Sequence, residues 1–145
     1  MRVILQRVSL ASVSVDGKVC GKIGRGYVVL LGVGAGDSKA KVEKMVDKIQ
    51  KLRIFADHQG KTNLAMGDVG GEMLVISQFT LYADCSKGNR PSFTNAANPG
   101  LAEELYDYFI EYARGRLIEV RHGVFGAEMK IELVNDGPFT VFLED

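Results

Sequence analysis

The sequence is poor in the residues that staple, ligate or relay. Its 145 residues hold two cysteines, Cys20 and Cys85, and no Cys-x-x-Cys, which excludes a disulfide framework. His58 and His122 are the only histidines, remote in sequence from each other and from both cysteines, so zinc-site spacing is absent. Nothing in the pattern asks for a metal or a cofactor. Neither sign of charge prevails: 18 Lys and Arg against 18 Asp and Glu leave a formal net charge of zero. A dedicated nucleic-acid-binding domain is usually basic overall, so any RNA contact must rest on a local patch. The longest apolar run, Tyr27 to Leu31, is too short to cross a bilayer. The opening Met1-Arg2-Val3-Ile4-Leu5-Gln6-Arg7 lacks the core of a signal peptide. The expectation is a cytoplasmic protein with no membrane partner.

What is present suits one globular domain over residues 1–145. Apolar residues make up 46% and charged residues 25%, both ordinary for a folded soluble chain. Ser12 to Val15 alternates strictly, Asp16-Gly17 follows, and Lys18 to Ile23 resumes the pattern. Asp-Gly between alternating runs is a hairpin signal, because both central residues need positive φ. Tyr27 to Val33 reads as a strand covered on both faces. Val42, Met45, Val46, Ile49 and Leu52 recur at helical spacing up to about Arg53. Residues 57–71 read as loop or short hairpin, and Met73 to Ile76 as a second buried strand. Asn98-Pro99 supplies an N-cap and a first-turn proline for a helix with Leu101, Leu105, Tyr108, Phe109 and Tyr112 on its apolar face. Strands over Leu117–Arg121, Met129–Val134 and Phe139–Leu143 complete a mixed-sheet α/β chain. Gly32-Val33-Gly34-Ala35-Gly36 lacks the third glycine of a dinucleotide-binding loop. Cys20, in a strand, reads as a small core residue, and both histidines as surface residues.

Four segments carry chemistry in their composition. Ser77-Gln78-Phe79-Thr80-Leu81 puts hydroxyls and an amide at the end of a buried strand, where polar groups either cap a turn or form a site. A hydroxyl there can attack or hold water, and the N–H groups of Gln78 and Phe79 can face a developing oxyanion. Lys87-Gly88-Asn89-Arg90-Pro91-Ser92-Phe93 suits a phosphate or carboxylate, or a solvated loop. Asn135-Asp136-Gly137-Pro138-Phe139-Thr140 reads first as a hairpin turn, although proline removes a ladder donor at the start of the last strand. Lys41, Lys44, Lys48 and Lys51 line one helix face, which either tracks an RNA backbone or faces solvent.

Together, these segments resemble the D-aminoacyl-tRNA deacylase family, and the likeness runs from Met1–Val8 through Ser77–Leu81 and Lys87–Phe93 to Asn135–Thr140. The resemblance implies a homodimer with a layered β/β/α fold. It implies hydrolysis of the ester joining a D-amino acid to the 3′-terminal adenosine of mischarged tRNA, and action on glycine mischarged on alanine tRNA. By the same resemblance, Ser77, Gln78, Phe79 and Thr80 are the catalytic positions. Gly137 and Pro138 form a cis peptide that enters the partner's site and blocks L-side chains. Lys87 and Arg90 are expected to bind substrate. An aminoacyl ester is already activated, so aligned water and a stabilised oxyanion suffice without metal or triad. Thr80 is either a covalent nucleophile or a residue positioning water assisted by the tRNA 2′-hydroxyl, and the second reading is preferred. A small-molecule esterase or amidase and a non-catalytic tRNA- or DNA-associated dimer are the competing readings.

Overall fold

The computed structural model describes residues 1–116 and 118–145. In chain order the elements are β1 (Arg2–Val15), β2 (Lys18–Ile23), β3 (Gly26–Gly32), α1 (Lys39–Lys51), β4 (Phe55–Ala56), β5 (Thr62–Leu64), β6 (Glu72–Ser77), α2 (Pro99–Gly115), β7 (Glu119–His122) and β8 (Met129–Glu144). The predicted β1–β2 hairpin is present, with φ of 49° at Asp16 and 77° at Gly17. The strand preceding it begins at Arg2 rather than Ser12, because Val3 and Leu5 are fully buried and extend the ladder. Asn98 caps α2 as expected, its side chain accepting the Leu101 N–H at 3.1 Å. The strand expected from Leu117 starts, within the described residues, at Glu119; Leu117 itself lies outside them.

β1 is the hub. One edge pairs antiparallel with β3 over Arg2–Val8 and with β2 over Ala11–Val15. Its other edge pairs with β8 along nearly its whole length. β3 continues in parallel to β6, and β6 to β7. The ladder between β1 and β8 is irregular around Val8, and there the strand changes sides. Val3 and Leu5 belong to a core shared with α1 and α2, whereas Val8, Ala11 and Val13 belong to a second core with Val28, Leu74 and Ile76. The sheet therefore folds over itself with the helices on one side, giving the expected mixed-sheet β/β/α layering.

The hairpin expected at Asn135–Thr140 is not formed. β8 runs straight through as one strand of 16 residues. Gln6 pairs with Thr140 and Val8 with Asn135, so residues 136–139 bulge out of the ladder opposite Arg7. Neither Asp136 nor Gly137 takes the positive φ that the same dipeptide adopts at Asp16-Gly17, so the chain does not reverse. The Gly137–Pro138 bond is cis. Cys20 is also corrected: its side chain is exposed, not part of a core. His58 is exposed and His122 half-buried. Among the described residues no helix is long and apolar enough to cross a membrane.

Candidate active site

β6 delivers the Ser77–Leu81 segment to the open ends of β3 and β6. Its residues Met73 to Ile76 are buried, and Ser77 is the first half-buried residue beyond them. The Gln78 N–H then donates to the Leu31 carbonyl at 2.8 Å, extending the β3 pairing by one bond. This corrects the oxyanion assignment: the Gln78 N–H is already used. The next residues, Phe79–Tyr82, form a short 3₁₀ turn. A turn of this type leaves its first N–H groups without internal partners. Those of Phe79 and Thr80 have no acceptor among the described residues. The Gln78 side-chain amide donates to the Thr80 hydroxyl, holding that side chain against the turn.

Glycine at two positions lets the turn dock. A Cβ on Gly32 would lie 3.1 Å from the Gln78 carbonyl oxygen and from Leu81, and one on Gly34 would lie 2.6 Å from the Tyr82 hydroxyl. The glycine-rich stretch after β3 is thus a seat for the site's own backbone and for Tyr82. Arg2 fastens the far end of the turn: its Nη1 donates to the Leu81 carbonyl at 3.0 Å and its guanidinium lies 4.6 Å from the centre of the Tyr82 ring. Its Nε pairs with Glu144 of β8 at 2.6 Å. Burial pushes the Tyr82 phenol up to about 12, with the Asp37 carboxylate adding to the shift, so the hydroxyl stays protonated at any physiological pH.

Beside the turn lies a cavity of about 560 Å³. Leu31, Val33 and Ile76 form its base, and Ala96, Ala97, Pro99 and Ala102 form a small-residue wall at the start of α2. Phe125, Met129 and Ile131 line it from the chain leading into and along β8. Among the described residues, Ser77 and Gln78 are the only polar side chains on its lining. Phe79 and Phe93, both partly exposed, meet edge to face with ring centres 5.0 Å apart and also border it. A mostly apolar concavity with a few fixed polar groups is the ordinary form of a small-ligand site.

The other sequence-predicted residues stand outside this lining. Thr80 is exposed and joins the site through Gln78. Lys87 and Arg90 are exposed on the loop closed by the Asp84–Ser92 bridge. No carboxylate among the described residues pairs with either. Gly137 and Pro138 are exposed on the β8 bulge, held by Arg7. Arg7 is 8% exposed, and its Nη2 donates to the Gly137 carbonyl at 3.1 Å. Its Nε lies 2.9 Å from the Asp136 carboxylate, its Nη1 donates to the Ile54 carbonyl, and its guanidinium stacks 4.5 Å from the Phe139 ring centre.

Arg2, Arg7, Tyr82 and the small-residue wall were missed from sequence. Arg7 did leave a signal, since it falls on the inward alternation of Val3 and Leu5, where a charge needs partners.

A layered β/β/α fold with an open, mostly apolar cavity beside a turn whose Phe79 and Thr80 N–H groups have no acceptor among the described residues defines a protein with one small-ligand site at its strand ends. Residues 4–144 match the D-Tyr-tRNA(Tyr) deacylase family. The D-aminoacyl-tRNA deacylase of Fervidobacterium nodosum is 54% identical over 144 residues, covering 99% of this chain and 97% of that protein. That of Clostridioides difficile is 51% identical with the same coverage. Among solved structures, a c-Myc DNA unwinding element binding protein superposes with a TM-score of 0.94 at 41% identity, covering 100% of this chain and 99% of that one. A probable eukaryotic D-amino acid tRNA deacylase shares the fold, with a TM-score of 0.85 at 18% identity over 98% of this chain and 97% of that one. The chain belongs to the D-Tyr-tRNA(Tyr) deacylase family, a family of hydrolytic enzymes.

Proposed function

We propose that this protein hydrolyses the ester between a D-amino acid and the 3′-terminal adenosine of tRNA. It works as a cytoplasmic homodimer in which Gly137-Pro138 of one subunit closes the site of the other. The observation that carries this reading is the apolar cavity beside the unpartnered Phe79 and Thr80 N–H groups. The cavity suits a nucleoside ring, and the N–H groups suit an ester oxygen that gains charge as water adds. Collapse of the tetrahedral adduct then releases the free amino acid and the 3′-hydroxyl. Ser77 and Gln78 supply polar contacts at the cavity edge. Thr80 accepts a hydrogen bond from Gln78, and no histidine or carboxylate among the described residues bonds to its hydroxyl. It therefore lacks the base an attacking hydroxyl needs, and water assisted by the substrate's 2′-hydroxyl is the preferred nucleophile. Lys87 and Arg90 are placed by this reading against the RNA backbone.

The trans role of Gly137-Pro138 is supported by distance within one chain. Arg2 touches the Leu81 end of the site and Arg7 touches Gly137. Along β1 those residues stand roughly 17 Å apart, at about 3.4 Å per residue. The loop of a second copy has no such restriction. Exposed Leu10, Val134 and Phe142 on β1 and β8 add apolar surface near the bulge, as a dimer face requires. A backbone wall of this kind excludes an L-side chain and lets glycine through, so glycyl-tRNA(Ala) is also a substrate under this proposal.

Release of D-tyrosine from D-tyrosyl-tRNA, with L-tyrosyl-tRNA spared, is the test. Hydrolysis of simple esters alone would make the protein a small-molecule esterase. The DNA-binding name of the neighbour at 41% identity suggests a second reading, binding without turnover. Zero net charge disfavours an extended duplex footprint, and tight duplex binding with no ester hydrolysis would decide for that reading.

A further inference from the structure

The lysine face of α1 is the most prominent sequence feature that the site does not absorb. α1 and the end of β8 enclose a second groove of about 530 Å³, lined by Lys44, Lys48 and Lys51 on the helix and by Leu143, Glu144 and Asp145 opposite. Its acids are already matched. Asp47 pairs with Arg116 at 3.3 Å, Glu144 with Arg2 at 2.6 Å, and Asp145 with Lys44. Lys48 and Lys51 are exposed, and no carboxylate among the described residues lies within ion-pair distance of either. The pairing therefore leaves Lys48 and Lys51 as the uncompensated charges on the helix side of the groove.

It is also linked through Arg2 to the turn of the candidate active site. Glu144, on the groove wall, holds Arg2, and Arg2 donates at 3.0 Å to the carbonyl of Leu81, the residue after Thr80. One side chain separates the end of the groove from the turn that faces the ester. On the helix, Lys44 to Lys51 spans roughly 10 Å at about 1.5 Å per residue. That matches one or two phosphate intervals of an extended strand.

We propose that this groove carries the phosphate backbone of the RNA strand that ends at the reacting ester, with Lys48 and Lys51 as its main contacts. The inference rests on the proposed tRNA deacylation. RNA is favoured over an acidic protein because the charges lie along a line leading to the site where the strand's end must be. Such lysines contribute binding that weakens with salt, by about 0.7 in log–log slope for each single-strand phosphate neutralised.

The test compares two substrates of one enzyme: D-tyrosyl-tRNA, and D-tyrosyl-adenosine, which has the ester but no strand. In Lys48→Glu/Lys51→Glu, kcat/KM for the tRNA should fall at least tenfold relative to that for the adenosine ester. The loss should lie in KM, and the salt slope should become shallower by about 1.4. Lys61→Ala, on the β4–β5 hairpin, should leave the ratio as in the wild type. An unchanged ratio in the double variant, with wild-type tRNA deacylation intact, overturns the groove assignment alone. A wild type that cleaves the adenosine ester but not the tRNA overturns the proposed function, and the groove with it.

Discussion

Arg2 and Arg7 lie on the same strand and hold, at 3.0 and 3.1 Å, the carbonyls of Leu81 and Gly137, one in each of the two segments assigned to the site. β1 is therefore more than the central strand of the sheet. Its first arginine fixes the turn proposed to face the ester, and its second fixes the bulge proposed to screen the partner's substrate. Both reach into β8 as well, to Glu144 and Asp136. Strand pairing and site geometry are set by the same two side chains.

Removing Arg7 should cost both stability and selectivity. Its buried guanidinium satisfies the buried Ile54 carbonyl, whose loss of a partner costs about 1–3 kcal/mol, and its charge-assisted bonds to Gly137 and Asp136 on the exposed bulge add to that. Arg7→Ala should lower unfolding free energy by about 2–4 kcal/mol in urea denaturation. Arg7→Lys should recover only part, since one ammonium cannot span three acceptors. In either variant hydrolysis of L-tyrosyl-tRNA should rise relative to D-tyrosyl-tRNA. Unaltered selectivity in a destabilised variant would separate Arg7 from the screening bulge.

How much of this was legible in the sequence depends on whether a feature is local. The Asp16-Gly17 hairpin, the Asn98 cap and the helical spacing of Val42 to Ile49 are set by neighbours in the chain, and each was read correctly. Asp136-Gly137 has the same letters as Asp16-Gly17 and a different fate, because Arg7, remote in sequence, captures Asp136 and Gly137 within a continuous ladder. The Ser77–Thr80 segment stood out by composition. Its turn geometry depends on Leu31, Gly32 and Arg2, all distant in sequence. The small-residue wall at Ala96, Ala97 and Ala102 has no compositional signature at all.

Asp37 should govern part of the acid limb of stability. Its carboxylate is 3% exposed and accepts from the Met1 ammonium at 2.6 Å, the Gly34 N–H at 2.7 Å and Lys41 at 3.2 Å. Desolvation raises its pKa, but these donors outweigh that and hold it below the ordinary carboxylate value. A depressed folded pKa means the stabilisation is fully present above the unfolded value of about 3.9 and is lost as pH falls through the folded one. Asp37→Asn should therefore reduce stability at neutral pH and flatten the stability–pH curve below about pH 4. An acid limb as steep as that of the wild type would assign the acid sensitivity elsewhere.

Thr80→Ala should keep deacylation within about tenfold of the wild type, since general positioning contributes less than a nucleophile would. The Gln78 amide would lose its acceptor and the water its alignment, but no bond-forming atom would be removed. Rapid quench of the wild type with labelled D-tyrosyl-tRNA should trap no acyl-enzyme. Complete loss of activity together with a trapped ester on Thr80 would reverse the assignment.

Mixed dimers can decide which subunit supplies the screen. Ala102 belongs to the small-residue wall, so Ala102→Trp should fill the cavity and lower kcat/KM about 100-fold or more, about 2.7 kcal/mol in transition-state binding. Pro138→Gly should replace a ring-fixed wall by a pliant one and admit L-tyrosyl-tRNA. A heterodimer of these two variants has one working cavity, in the subunit that carries Pro138→Gly. If the screen acts in trans, that cavity receives an intact Gly137-Pro138 from its blocked partner, and the heterodimer should reject the L-substrate as the wild type does. If the screen acts within one chain, the same heterodimer should hydrolyse the L-substrate as readily, per working cavity, as the Pro138→Gly homodimer. The two outcomes differ in sign, so tandem-tag purification and one pair of substrates are enough to choose between them.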